Sequence, residues 1–328
     1  MSRAAAAALA LAVLAGCPGD DTQETCDGVW TQLAELDRAA LSVQGTGPDD
    51  VWIVGGGLGL GGPLAAHWDG ERWTRHDPAG DDSLWWVWTA SDGTVWMVGE
   101  HGLVARRLAD GDTVTVDRVD DVTLYGVWGS GPDDVWIVGE NDFVRRWNGA
   151  AFETLAGVPA RGATLFKVWG SAPDDVWISG EGGTMLHGTS TGIVDHSDEL
   201  ATAAPALTVH GCHASEVYAV AGQSLYLWDG QRWSRQAEPV LGSAANGVSC
   251  GEAGVLVVGN AGLKLRRIRA TGQWLDERAA APTGVDLHGA WIDGAGRTWV
   301  VGGNFNAPMP TSRRGVVGER GCPRPANF

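Results

Sequence analysis

Lysine is almost absent from this 328-residue chain, which contains only Lys167 and Lys264. With 23 basic residues against 40 acidic ones, the formal net charge is −17. Proteins that bind nucleic acid carry a basic surface that neutralises phosphates, so this balance argues against a nucleic-acid partner. Attachment to anionic lipid through clustered basic residues is disfavoured for the same reason.

A long apolar run is also lacking, because no stretch reaches the ~18 residues of a membrane-spanning helix. A shorter run at 4–14 follows the cationic start Met1-Ser2-Arg3 and suits the core of a secretory signal. It ends in Leu14-Ala15-Gly16-Cys17, which resembles a bacterial lipobox, whose cysteine is acylated. We expect a signal peptide at 1–16, a lipidated tether at 17–27 that begins at Cys17, and an extracytoplasmic location in the bacterial cell envelope. The alternative is an ordinary cleavage site beside a chance cysteine.

Helical periodicity is absent, and a strand-like segment recurs seven times instead. Its clearest copies are Val-Trp-Ile-Val-Gly at 51–55 and 135–139. The last residues of the copies are spaced by 38 to 44 residues: Gly55, Gly99, Gly139, Gly180, Ala221, Gly259 and Gly302. A fixed period of this length indicates a repeat architecture.

Each repeat contains four β segments separated by turns rich in Gly, Pro and Asp. Four strands in about 40 residues are typical of a β-propeller blade. We therefore predict an all-β, seven-bladed β-propeller of four-stranded blades over 28–321, followed by a tail at 322–328. The last repeat lacks a fourth strand, and 28–36 resembles one, so the N-terminal strand is predicted to close the ring in the last blade.

Five cysteines are present, and four remain once Cys17 is assigned to lipid. Export permits disulfides, and four cysteines allow three pairings. Cys26 lies just before the closing strand and Cys322 just after the third strand of the last blade. Cys212 and Cys250 each lie nine residues before the end of their repeat segments, in adjacent blades. We predict the pairs Cys26–Cys322 and Cys212–Cys250.

Tryptophan is abundant, with 18 residues, and 16 of them occupy positions that recur between repeats. Periodic placement indicates rings that pack between blades. Trp85 shares an apolar position with Tyr125 and Phe166. Trp86 occupies a position that is small or polar in the other repeats: Ser42, Gly126, Lys167, Thr208, Asn246 and Gly289. Trp86 and its neighbour Trp85 are therefore the tryptophans predicted to contact a ligand.

An acidic residue follows the glycine that ends the repeat segment in three consecutive blades, at Glu100, Glu140 and Glu181, and Asn260 takes this position in the sixth. We expect these four side chains to lie on one face, as a docking patch for a cationic partner. The alternative is that the carboxylates serve only their local turns.

Motifs that would carry catalysis are absent, including Gly-x-Ser-x-Gly and His-Glu-x-x-His. The glycine-rich segment 57–62 lies between two strands instead of opening a helix, so a dinucleotide cofactor is not expected. Repeated Pro-Asp-Asp turns could chelate calcium, but such aspartates more often bond their own turn. The sequence therefore predicts that the protein binds no cofactor and no metal and is not an enzyme.

Two recurring motifs resemble a known family. Asp-Gly-x-x-Trp at 69–73 and Gly-Pro-Asp-Asp-Val-Trp at 131–136 are similar to the Trp-rich propeller repeats of predatory-type bacterial lipoproteins, and distantly to Asp-box (BNR, sialidase-like) propellers. The resemblance implies the fold and no particular activity. We predict a monomeric, non-catalytic envelope lipoprotein whose propeller face binds an envelope protein or glycan. The alternative is a glycan-active hydrolase or lyase that uses the three glutamates at the channel mouth.

Overall fold

The computed structural model describes residues 28–58, 61–111, 114–305 and 314–321. Within these ranges, 28 strands form seven four-stranded antiparallel sheets, and a single α-helix, α1 (Ser197–Leu200), has four residues. The predicted seven-bladed β-propeller is confirmed. No helix in the described part of the chain is long and apolar enough to cross a membrane. The predicted signal peptide, tether and tail, with Cys17, Cys26 and Cys322, lie outside the described residues.

Six blades are continuous four-stranded meanders. Blade I contains β2 (Ala39–Gly47), β3 (Asp50–Gly56), β4 (Pro63–Trp68) and β5 (Trp73–Arg75), and blade II contains β6 (Leu84–Thr89), β7 (Val95–Gly99), β8 (Leu103–Arg107) and β9 (Val114–Arg118). Blade III contains β10 (Leu124–Gly131), β11 (Asp134–Gly139), β12 (Phe143–Trp147) and β13 (Phe152–Thr154), and blade IV contains β14 (Leu165–Ala172), β15 (Asp175–Gly180), β16 (Met185–Thr189) and β17 (Gly192–Asp195). Blade V contains β18 (Ala206–His213), β19 (Glu216–Ala221), β20 (Ser224–Trp228) and β21 (Trp233–Arg235), and blade VI contains β22 (Ala245–Gly251), β23 (Gly254–Gly259), β24 (Lys264–Ile268) and β25 (Trp274–Asp276).

Blade VII is assembled from both ends of the propeller. It contains β26 (Asp286–Ile292), β27 (Thr298–Gly303), β28 (Gly315–Arg320) and, as its outer strand, β1 (Trp30–Leu36). The pairing runs antiparallel from Trp30 opposite Arg320 to Leu36 opposite Gly315. The expected closure of the ring by the N-terminal strand is confirmed.

The first strands of neighbouring blades contact one another around the ring and surround the channel. Their starts lie at the same edge as the turns between second and third strands, since the strands of each blade alternate in direction. Glycine ends most second strands because the backbone before the first strand passes very close. At Gly139, a Cβ would lie 2.3 Å from the carbonyl oxygen of Thr123.

The tryptophan rings fill the space between blades, as their periodicity predicted. The five on second strands are almost fully buried: Trp52, Trp96, Trp136, Trp177 and Trp299. Several rings lie against a glycine of the next blade, where a side chain would collide with the ring. These pairs are Trp88 with Gly129, Trp128 with Gly170, Trp169 with Gly211 and Trp136 with Gly188.

A disulfide joins Cys212 on β18 to Cys250 on β22, with the two Cα atoms 5.0 Å apart. It connects the first strands of blades V and VI, so this predicted pairing is confirmed. Glu216 lies close to both sulfur atoms. The group offers no thiolate to a metal while the sulfurs are bonded to each other.

Candidate functional site

Four residues were predicted to form a docking patch and are here called the rim residues: Glu100, Glu140, Glu181 and Asn260. All four lie at the edge of the propeller where the first strands begin. Glu100, Glu181 and Asn260 each open a 3-10 turn after a second strand, and Glu140 occupies the same position in blade III. The expectation that they share one face of the propeller therefore agrees with the topology.

Each of the three glutamates also has a local structural role. Oε2 of Glu140 accepts a hydrogen bond of 2.8 Å from the amide of Thr123, while the Glu140 amide donates to the Thr123 carbonyl oxygen at 3.0 Å. The same reciprocal pair joins Glu100 to Ser83 and Glu181 to Thr164. One carboxylate oxygen of each glutamate thus fixes the start of the first strand.

The first strands place one side chain per blade around the channel mouth. Six of these side chains, together with Lys167, line a cavity of about 270 Å³, here called the cup: Trp85, Tyr125, Phe166, Leu207, Asn246 and His288. The ring centroids of Trp85 and Tyr125 are 4.8 Å apart, and those of Tyr125 and Phe166 are 5.9 Å apart. The cup is thus an aromatic wall on one side, with polar groups on the other.

Trp85 and Trp86, predicted together, have different surroundings. Trp85 lines the cup, whereas Trp86 lies deeper and lines the channel, a cavity of about 70 Å³. Trp85 is the cup residue that was predicted as a site residue, and six others were missed: Tyr125, Phe166, Lys167, Leu207, Asn246 and His288. Tyr125 and Phe166 were missed because their periodic position resembled core.

Asn246 was placed one position away from its true equivalent. Gly247 pairs with Val258, as Trp86 pairs with Val98, so Asn246 corresponds to Trp85 and belongs to the cup. The cause is a shorter first hairpin in blade VI, where Gly251 pairs directly with Gly254. The sequence indicates this shortening in the 38-residue spacing between Ala221 and Gly259, which is the shortest of the six intervals.

The acidic rim meets the cup at Tyr125. Its hydroxyl donates to Oε1 of Glu140 at 3.4 Å. Burial raises the pKa of Tyr125, and the charges of Glu140 and Glu100 raise it further. On another side, the Asn246 amide donates to Oδ1 of Asn260 at 2.8 Å. Three of the four predicted rim residues therefore act on cup side chains.

Glu181 is the exception among the predicted rim residues. It lines a separate surface groove of about 480 Å³ with Arg161, Ser197 and Asp198. The four residues share a face, but they do not all form one site.

Lys167 forms the floor of the cup. The residue is 4% exposed, and its Nζ lies 3.6 Å from the centre of the Trp86 ring. Burial lowers the pKa of Lys167 to about 7. Beside it, burial and then the Lys167 charge lower the pKa of His288 to about 3. His288 Nδ1 lies 2.7 Å from the Leu41 carbonyl oxygen, which can only accept, so the neutral ring carries its proton on Nδ1.

The fold and the cup define a seven-bladed β-propeller with an aromatic, acid-rimmed channel mouth. No protein-family model matches the chain, and no curated protein matches it. Many solved structures are similar to it. YCF48 from Cyanidioschyzon merolae is 14% identical, with a TM-score of 0.65 over 89% of this chain and 98% of the other.

A structure of YCF48 bound to D1 peptide is also 14% identical, with a TM-score of 0.67 over 89% of this chain and 95% of the other. The WD40 repeats of RRP9 are 12% identical, with a TM-score of 0.67 over 89% and 98% of the two chains. At this identity the likeness shows the fold alone. The resemblance to Asp-box propellers and to predatory-type lipoproteins stays a prediction.

Proposed function

We propose that this protein is a non-catalytic binding scaffold of the bacterial cell envelope, and that its cup receives an apolar segment of a protein partner flanked by basic residues. The observation that carries the proposal is the combination of an aromatic wall with Glu140 and Glu100 acting on the same ring, Tyr125. Aromatic faces bind apolar groups and attract cations, and nearby carboxylates add to the attraction for cations.

A protein partner has more support than a glycan. One of the similar propellers, YCF48, was solved with D1 peptide bound, which supports a peptide segment as the partner. The net charge of −17 would draw a basic partner toward the molecule over long range.

The hydrolase or lyase alternative has less support from the geometry. Glycoside hydrolysis requires two carboxyl groups flanking the scissile bond. Glu181 lines a groove apart from the cup, and each of the three glutamates has one oxygen committed to a backbone amide. Turnover of a glycan panel that is lost when Glu100 and Glu140 are replaced would favour the enzyme over the scaffold.

The substitution Glu140→Gln tests the acidic rim without removing the turn contact, because a glutamine oxygen still accepts from Thr123. With a fluorescent peptide of leucine flanked by arginines as probe, we expect binding to weaken by up to about fivefold, the size of a partly exposed ion pair. Titration by fluorescence anisotropy at low and high salt measures it. The matched control is Glu71→Gln, since Glu71 is exposed in the turn between β4 and β5, at the opposite edge.

Equal weakening by the two variants would contradict the role of the rim. Equal affinity for a peptide with aspartates in place of the arginines would do the same.

The proposed membrane attachment depends on Cys17. We expect the full chain, expressed in a bacterium that acylates lipoproteins, to partition into the detergent phase, and Cys17→Ser to move it to the aqueous phase because acyl chains supply the membrane affinity. Cys212→Ser is the matched control, since Cys212 lies in the propeller. Equal partitioning of Cys17→Ser and the unchanged protein would overturn the anchor.

A further inference from the structure

The two lysines of this chain are both buried, but their surroundings differ. Lys264 is fully buried, and its Nζ donates to the carbonyl oxygens of Pro282 at 2.7 Å and Gly262 at 3.3 Å. Lys167 is almost as buried, yet within the described residues its Nζ has the Trp86 ring as its partner and faces a cavity. Lys264 therefore has a structural function, whereas the amine of Lys167 is kept beside an open space.

The cup selects the kind of group that can approach this amine. Glu140 and Glu100 act at its mouth and disfavour an anion. The buried ammonium form of Lys167 disfavours a cation at the floor. The walls are Trp85, Tyr125 and Phe166, which suit a neutral apolar body. A neutral ligand with a polar end that can interact with an amine satisfies all three conditions.

We propose that Lys167 is a nucleophilic amine that forms a reversible imine with neutral aldehydes or ketones whose apolar body fits the cup. This activity goes beyond the proposed scaffold function and does not depend on it. Lysines desolvated in apolar pockets react in this way because the neutral amine carries the lone pair. With the pKa of Lys167 lowered to about 7, a large fraction is neutral at neutral pH.

The reaction balances without another reagent. The Nζ lone pair attacks the carbonyl carbon, the C–N bond forms, and the carbonyl π bond breaks to give a carbinolamine once a proton moves from nitrogen to oxygen. The hydroxyl group and the remaining nitrogen proton then leave together as one water molecule, and the C=N bond of the imine forms. Addition of water reverses the sequence, so the adduct is a reversible covalent complex, with no change in oxidation state.

The test uses benzaldehyde with sodium cyanoborohydride, which reduces an imine to a stable benzylamine. After proteolysis, mass spectrometry reports the benzyl adduct at each lysine separately. We expect Lys167 to be modified at least about tenfold more than Lys264 in the native protein, and the modification to saturate with benzaldehyde. In urea, where burial is lost, the two lysines should react alike.

Lys264 is a stringent internal control. Burial lowers its pKa to about 8, so about a tenth of it is neutral at pH 7. If a lowered pKa were sufficient, it would react at a rate within about tenfold of Lys167. Its bonds to two carbonyl oxygens, away from the cup, should reduce its reaction further.

The variant Lys167→Arg keeps the positive charge but cannot form this imine, so its adduct should disappear. The native ratio of the two lysines supplies the result even if this variant fails to fold. Native modification of Lys167 at or below that of Lys264, or a rate that rises linearly with benzaldehyde and equals that in urea, would overturn the proposal.

Discussion

At the scale of single residues, the second aspartate of the repeated Pro-Asp-Asp turns joins strands within a blade. Asp50 accepts from His67 at 2.7 Å, and Asp175 pairs with His187 at 2.6 Å. The His187 ring stacks on Trp177 with centroids 4.1 Å apart. These aspartates therefore bond the third strand of their blade, which accounts for them without calcium. The turn motif alone could not indicate these bonds, because the histidines lie on another strand.

The ionisation of Asp175 makes the free energy of unfolding depend on pH. Burial alone would raise its pKa, but hydrogen bonds from His187 and Ser171 outweigh burial, so the folded-state pKa lies below the ordinary 3.8. This contribution is fully present above the unfolded pKa and is lost as pH falls through the folded one. We expect Asp175→Asn to lower the free energy of unfolding at pH 7 and to flatten its pH dependence below about pH 5.

Urea unfolding at several pH values measures both effects. Asp174→Asn is the matched control, because Asp174 is its exposed neighbour in the same turn. A pH profile of Asp175→Asn parallel to that of the unchanged protein would refute the assignment.

At the scale of elements, single tryptophan rings pack between neighbouring blades, each against a glycine of the next blade. A Cβ on Gly188 of β16 would lie 2.7 Å from Cη2 of Trp136, which belongs to the previous blade. The tryptophan positions were predictable because a period of about 40 residues is visible in the sequence. Which glycine receives which ring was not, since the two residues come from different repeats.

We expect Gly188→Ala to destabilise the propeller by about 1–3 kcal/mol, because the ring must shift to admit a methyl group. Adding Trp136→Phe, which lacks the colliding atom, should recover part of that loss. The free energies of unfolding of the two single variants and the double variant give the coupling.

Gly131→Ala is the control, since a Cβ there meets nothing within 4 Å. Strict additivity of the Gly188 and Trp136 effects would count against seating of the ring on Gly188.

At the scale of the whole molecule, closure of the ring depends on strands from both ends of the propeller. β1 and β28 are paired along six positions, with Trp30 opposite Arg320 at one end. The predicted bond between Cys26 and Cys322 would follow directly from this pairing, since each cysteine lies just beyond a paired strand end.

We expect peptide mapping without reduction to find Cys26 joined to Cys322, and Cys212 to Cys250. Removing the Cys26–Cys322 bond with Cys322→Ser should lower the free energy of unfolding by up to about 4–5 kcal/mol, because this bond closes a loop over nearly the whole chain. A peptide that joins Cys26 to Cys212 or Cys250 would show that the assignment is wrong.

The sequence by itself determined the number of blades, the strands in each, and the closing strand. These follow from alternating apolar residues and turn residues, and both are local properties repeated at a fixed spacing. Tertiary structure decided the cup. Trp85, Lys167 and His288 are separated by dozens to hundreds of residues, and only the curvature of the closed ring brings their strands to one channel mouth. The two lysines show the same distinction. The sequence gives their number, but only the packing bonds Lys264 to a backbone carbonyl oxygen and leaves Lys167 facing a cavity.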